Sequence, residues 1–217
     1  MSNDATPVFG TLALERPDQG VLFVVSGPSG VGKSTLIKKA MARIPGLEFS
    51  VSATTRPARP SEADGREYHF VSPEKFTALV AEDALLEHAA VYDKRYGTPR
   101  APVEAAMSEG RSILLDIDVA GARQVKQRRP DAVWIYILPP SIPSLEQRIR
   151  ARGDTSEDVI RRRMAQVGQQ LAGAREADYV VVNDDLATAD AVFVGVFLAE
   201  LVRRDRRQKA TERILAS

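Results

Sequence analysis

The stretch VLFVVSGPSGVGKSTL, Val21 to Leu36, decides the fold. Five apolar residues run into a glycine-rich turn, and a lysine then opens a helical pattern. This is the order of a strand, a phosphate-binding loop and a helix. The spacing has a mechanical reason. Gly27, Pro28, Ser29, Gly30, Val31 and Gly32 form a turn in which successive backbone N–H groups can point inward without a Cβ in the way. The following helix start adds partial positive charge, Lys33 reaches outer phosphates, and Ser34, with Thr35 beside it, offers a hydroxyl to a divalent cation. A plain glycine-rich turn is the competing reading. The apolar run before the loop and the helical pattern after it both favour the cradle.

Working outward, three more short apolar runs have the same Val/Ile-rich character: SILLDID from Ser112, AVWIYIL from Ala132 and DYVVVN from Asp178. Near-continuous apolar runs suit strands covered on both faces, and their alternation with helical segments predicts an α/β fold with a parallel sheet. Helices are expected to begin at Lys33, near Pro102, near Gly121, at Pro143, near Ser156 and near Leu186. Between Ser52 and Thr98 the texture changes to a basic, loop-rich segment. There Ser72-Pro73-Glu74 supplies an N-cap, a first-turn proline and a first-turn acid for a helix reaching about Glu82, and ALLEHAAVY follows as a strand. A second polar insert, RARGDTSED, carries Thr155 and Asp158 in the spacing of a capping box.

The 217 residues suffice for one sizeable domain with small inserted lobes. Thirty basic residues against 29 acidic ones give no whole-molecule field to draw nucleic acid or an anionic membrane. The absence of cysteine excludes disulfides, thiol catalysis and thiolate metal sites, and is consistent with a cytoplasmic location. No apolar run reaches the roughly 20 residues of a membrane span, and residues 1–19 lack the pattern of an export signal and are expected to form a mobile leader. His69 and His88 lack the spacing of a metal pair and are expected to be packing residues. RRDRRQKATER near the C-terminus reads as a basic solvated helix end, because acids interrupt it and no aromatics interleave.

Asp116 and Asp118 close the run SILLDID. Two apart on a strand they would share one face, at the carboxyl end where parallel sheets bind ligands; solvated strand-end carboxylates remain the alternative. Arg56, Arg59, Tyr68 and Tyr96, taken as residues alone, are equally consistent with a solvated basic loop and half-buried core tyrosines.

SATTRPAR, DGREYHFV, LLEHA, YGTP, LLDID, RIRARG and VVND occur in the order and spacing of the guanylate kinases, a resemblance that covers about Val21 to Phe197. It implies a P-loop nucleoside monophosphate kinase: core at 20–53, 99–143 and 159–208, a GMP-binding lobe at 54–98, a lid at 144–158 and a tail at 209–217. It also implies that Arg56, Arg59, Tyr68 and Tyr96 hold the acceptor phosphate, which suits guanidinium forks and phenol donors. Ser52, Glu87, Thr98 and Asp118 would read the base. Guanine presents a ring N–H and an exocyclic amine as donors beside a carbonyl oxygen, which carboxylates and hydroxyls complement. Adenine lacks both donors in that arrangement, so the acceptor is GMP, with dGMP as a further substrate. Arg148, Arg152 and Arg163 match arginines around the lid that stabilise transferring charge, and Asn183 matches the adenine-side loop. On a helix Arg161, Arg162 and Arg163 face different ways, so at least one is expected to be merely solvated.

The resemblance implies transfer of the ATP γ-phosphoryl group to GMP, with Mg²⁺ held near Ser34 and Asp116 and small-molecule partners only, in a chain that can self-associate. A phosphate monoester has a second pKa of about 6 and is largely dianionic at pH 7, so no side-chain base is needed. One departure stands out: VYDKRYGTP places Arg95 where many relatives are uncharged, next to a turn expected at Gly97, where it could add charge near the acceptor phosphate. Two other classes compete with this reading. A scaffold retaining only a GMP-shaped pocket is disfavoured by the intact GPSGVGKS, and a P-loop GTPase by the lack of an NKxD stretch.

Overall fold

The computed structural model describes residues 16–91, 93–151 and 157–217. In chain order these form β1 (Leu22–Ser26), α1 (Lys33–Arg43), β2 (Leu47–Phe49), β3 (Ala53–Thr54), β4 (His69–Phe70), α2 (Pro73–Ala81), β5 (Leu85–Val91) and β6 (Lys94–Pro99). There follow α3 (Arg100–Ser108), β7 (Ser112–Asp116), α4 (Val119–Arg128), β8 (Val133–Leu138), α5 (Ile142–Ala151), α6 (Glu157–Leu171), β9 (Tyr179–Val182), α7 (Leu186–Leu201) and α8 (Gln208–Leu215).

The main sheet has the order β2-β7-β1-β8-β9, and every pairing in it is parallel. All five residues of β1 are buried because the strand lies at the centre with helices on both faces. Its alternation divides the core. Phe23 and Val25 join Leu36, Ile37, Phe193 and Phe197 from α1 and α7 on one face. Leu22 and Val24 join Val103, Met107, Trp134 and Tyr136 on the other. Phe197 sits between two rings, 4.3 Å from Phe23 and 4.9 Å from Phe193 by centroid. The indole of Trp134 meets the polar-atom requirement of burial by donating to Ser26 Oγ at 2.6 Å.

A second sheet, ordered β4-β3-β6-β5, is drawn wholly from residues 53–99. Its own core is small: Ala53, Phe76 and Leu85 are buried, with Val71, Leu79 and Val80 packed around them. Helix α2 starts as the sequence dictates, with Ser72 Oγ accepting from Lys75 N and Pro73 in the first turn.

Four expectations are corrected. The main sheet has a fifth strand, β2, whose three residues are too short to give a period. YGTP is not a turn but the body of β6, and Gly97 is required there because a Cβ would lie 2.8 Å from Leu85 Cδ1 and 2.9 Å from the Glu87 carbonyl oxygen. Within the segment expected to be mobile, Asp18 is tied to the C-terminal region: its N donates to Arg206 O and its Oδ2 accepts from Lys209 N. Residues 209–215, placed in a tail, continue helix α8. Among the described residues no helix is long and apolar enough to cross a membrane.

Candidate active site

The loop between β1 and α1 lines a cavity of about 400 Å³ together with Asp116, Ile117, Asp118 and Gln170. Gly27 has φ 151°, and a Cβ on it would fall 2.5 Å from the Ile137 carbonyl oxygen, so the loop can press against β8 only with glycine there. Gly32 is the N-cap of α1 at φ 99°. It offers no side chain to the first-turn N–H groups, and a phosphate is the cap that such a helix start accepts. A Cβ at Gly32 would lie 2.4 Å from Asn183 Nδ2.

Asn183 is buried, and its amide donates to Val31 O at 2.7 Å. Its backbone carbonyl accepts from Arg148 Nη1 at 2.8 Å, while Nη2 reaches Asp184 O. Asn183 thus braces the cradle from behind, and Arg148 is tied to the segment that follows β9. Lys33 Nζ donates to Gly27 O at 2.9 Å and stands 3.8 Å from Asp116 Oδ1. Asp116 is surrounded by protein yet reached by solvent through the cavity; burial pushes its carboxyl above the usual aspartate range, and Lys33 opposes that shift. Ser34 and Thr35 are exposed on the first turn of α1. A serine hydroxyl and one carboxylate beside phosphate oxygens are a donor set that suits Mg²⁺, which keeps much of its own water.

Asp118 is not on the strand with Asp116. β7 ends at Asp116, and Asp118 is the N-cap of α4, its Oδ1 accepting from Gly121 N at 2.8 Å. This leaves one carboxylate oxygen for another donor. Glu87, on β5, is buried and accepts from Thr98 Oγ1 at 2.7 Å. Burial is the main cause of its raised pKa; the Thr98 bond opposes the shift and the negative charge of Asp118 adds to it. Glu87, Thr98 and Asp118 therefore form one cluster, and Asp118 also lines the donor cavity. Ser52 is half-buried just before β3, where its carbonyl accepts from His69 N at 2.9 Å.

A third group lies in the loop after β3. Arg56 pairs in a two-pronged fashion with Glu62, Nη1 to Oε2 at 2.9 Å and Nη2 to Oε1 at 2.8 Å, and its guanidinium lies 5.4 Å from the Tyr68 ring centre and 5.7 Å from that of Phe70. Glu62 first, and the neighbouring Tyr96 after it, hold the Arg56 pKa above its ordinary value. The Tyr68 and Tyr96 rings stand edge to face at 5.9 Å. Arg59 contributes its backbone N–H to Glu62 Oε2 at 2.8 Å and keeps an exposed side chain. Glu62 is the residue sequence reasoning missed; its signal was an acid within the basic loop, six residues after Arg56.

Arg95 does not face this group. Its guanidinium packs over Phe76 at 4.9 Å, and its Nη atoms donate to Thr77 Oγ1 and Pro73 O, fastening β6 to the first turn of α2. Arg163 is half-buried on α6, whereas Arg161 and Arg162 are exposed and bonded to Asp158. Arg152 and Thr155 lie outside the described residues. His88 is exposed rather than packed, and no group of three potential metal-binding His, Asp or Glu side chains occurs among the described residues.

The family model described as Guanylate kinase matches residues 19–194. The chain belongs to the guanylate kinase family. A guanylate kinase of Bradyrhizobium diazoefficiens is 49% identical over 91% of this chain and 90% of its own length, and one of Nitrobacter hamburgensis is 48% identical over 89% of each. The crystal structure of guanylate kinase from Anaplasma phagocytophilum superposes with a TM-score of 0.69 at 30% identity, covering 88% of this chain and 92% of that one. The protein is accordingly a nucleoside monophosphate kinase with an α/β nucleotide-kinase fold.

Proposed function

We infer that the protein transfers the γ-phosphoryl group of ATP to GMP, giving ADP and GDP, and that dGMP is accepted as well. One observation carries the residue assignment: β7 ends in Asp116 at the donor cradle, and two residues later Asp118 stands in the Glu87 cluster while still lining the cavity. Donor and acceptor groups thus adjoin through a three-residue connection.

Gly27 to Ser34 hold the donor phosphates, and Lys33 neutralises charge on the outer ones. Ser34 and Asp116 would hold Mg²⁺, which when bound screens the phosphate charge and lowers the barrier to attack. Glu87 and the unused oxygen of Asp118 accept from the two guanine donors, and Thr98 holds Glu87 in place. Arg56, Arg59, Tyr68 and Tyr96 grip the acceptor phosphate. The dianionic phosphate attacks in line, so the side chains align and neutralise and no general base is required. Arg148 and Arg163 stabilise the charge that spreads over the transferring group. Soluble small molecules are the only substrates required.

The decisive measurement is ADP production at fixed Mg-ATP with GMP, dGMP, AMP, UMP and IMP as acceptors. GMP and dGMP are expected to lead by orders of magnitude. Equal velocities with AMP would overturn the base-reading assignment, and nucleotide hydrolysis independent of any acceptor would overturn the transfer itself.

A further inference from the structure

Gly121 has no conformational reason to be glycine. It lies in the first turn of α4, its φ is not positive, and glycine is the poorest helix former after proline. What surrounds it supplies the reason. A Cβ there would fall 2.8 Å from Glu87 Oε2, 3.3 Å from Glu87 Cδ and 3.4 Å from Ile117 Cδ1. The carboxylate of Glu87 rests where an alanine methyl would be.

Glu87 has little freedom to retreat. Thr98 Oγ1 holds its other oxygen at 2.7 Å, and the side chain is buried. The backbone is pinned as well. β5 is the outer strand of its sheet, and Gln124, one turn after Gly121, treats His88 as a neighbouring strand would: Oε1 accepts from His88 N at 3.1 Å and Nε2 donates to His88 O at 3.0 Å. A further turn along, Arg128 Nη1 donates to Leu85 O at 3.1 Å. One face of α4 thus fixes the strand that carries Glu87, and the N–H of Gly121 simultaneously fixes Asp118.

We propose that Gly121 is a positioning residue for guanine recognition: its missing side chain is the seat of the Glu87 carboxylate, and its N–H orients Asp118, so a single residue sets the spacing of both acids. This rests on the assignment of Glu87 and Asp118 as the guanine acceptors. It extends that assignment to a residue that touches no substrate.

The test compares Gly121→Ala, Glu87→Gln, Glu87→Asp and the Gly121→Ala/Glu87→Asp double variant, reading kcat and KM with GMP and with AMP, which lacks both donors. Gly121→Ala is expected to raise KM for GMP more than it lowers kcat, and to shrink the GMP-over-AMP preference by at least about tenfold. A helix-level defect would lower both acceptors alike. In the Glu87→Asp background, where the carboxylate is one methylene shorter, the added alanine is expected to cost less than about threefold, a coupling that only residues in contact show. An unchanged GMP-over-AMP preference in Gly121→Ala, or an equal alanine cost in both backgrounds, overturns the proposal. If instead Glu87→Gln leaves the preference at the wild-type value, the base-reading assignment itself falls.

Discussion

The donor cradle and the acceptor lobe are built by opposite means. The cradle hangs from β1, a fully buried strand with parallel neighbours on both sides, and its chemistry is mostly backbone. The lobe has a smaller sheet, in which β3 and β4 are only two residues long, and three buried apolar side chains as its own core; its chemistry is all side chain. Its loop is ordered by charged pairs: Arg56 with Glu62, both half-buried, and Arg66 with Glu67, a largely exposed pair that contributes little to global stability. Phosphate binding at the donor side is thus part of the fold, whereas the loop that holds the acceptor phosphate sits on a locally weaker unit, with the base-reading strand β5 tied back to the main domain through α4.

That contrast can be broken in several ways. Lys33→Ala is expected to lower kcat on the order of 10³-fold while leaving GMP affinity near wild type, because the lysine meets Gly27 and Asp116 on the donor side. Loss of GMP binding in a folded Lys33→Ala protein, measured by calorimetry, would contradict the separation. Arg56→Ala should raise KM for GMP by about 10²-fold with a smaller change in kcat, as expected for a charged fork on phosphate. Phe76→Ala removes the centre of the lobe core, at a cost of about 3–5 kcal/mol. Hydrogen exchange should then rise across residues 53–99 while β1 and β7 stay protected, and a uniform rise would show that the two regions unfold as one.

Acidity sharpens the comparison. The raised pKa of Glu87 means that its contribution to stability is present below the ordinary value of 4.5 and is lost as pH rises through the raised value, when the folded state must hold a buried charge. Guanine binding runs the other way, since the ionised carboxylate is the acceptor. KM for GMP should therefore climb as pH falls through that raised value, and Glu87→Gln, which keeps the titration of the GMP phosphate, should flatten that climb. The smallest effect is expected for Arg95→Gln: about 1 kcal/mol of stability from its ring contact, and KM for GMP within twofold, because the guanidinium faces α2.

Legibility followed the same division. The cradle was readable because glycine spacing, a lysine and two flanking periodic elements all agree, and the main sheet because its strands are apolar throughout. β2 escaped notice as three residues with an exposed Phe49. Gly97 and Pro99 looked like turn chemistry, yet the glycine is there to admit Leu85 and the Glu87 backbone, a long-range contact with no local trace. Asp118 was misplaced on the strand by alternation alone; an aspartate directly before the helical run VAGARQV was the cue for an N-cap. The partners of Arg56 and Arg95 depend on which side chains the folded loop brings near, and that is not encoded in any short pattern.

The side-chain bridge between Gln124 and His88 has one more effect. An outermost strand with open amides invites strands from other molecules to add to it, the first step toward fibrillar aggregates. Here an incoming chain would find the donor and acceptor of His88 already taken, so its ladder would be interrupted midway along β5. The same amide that steadies the strand also withholds its edge from an added one.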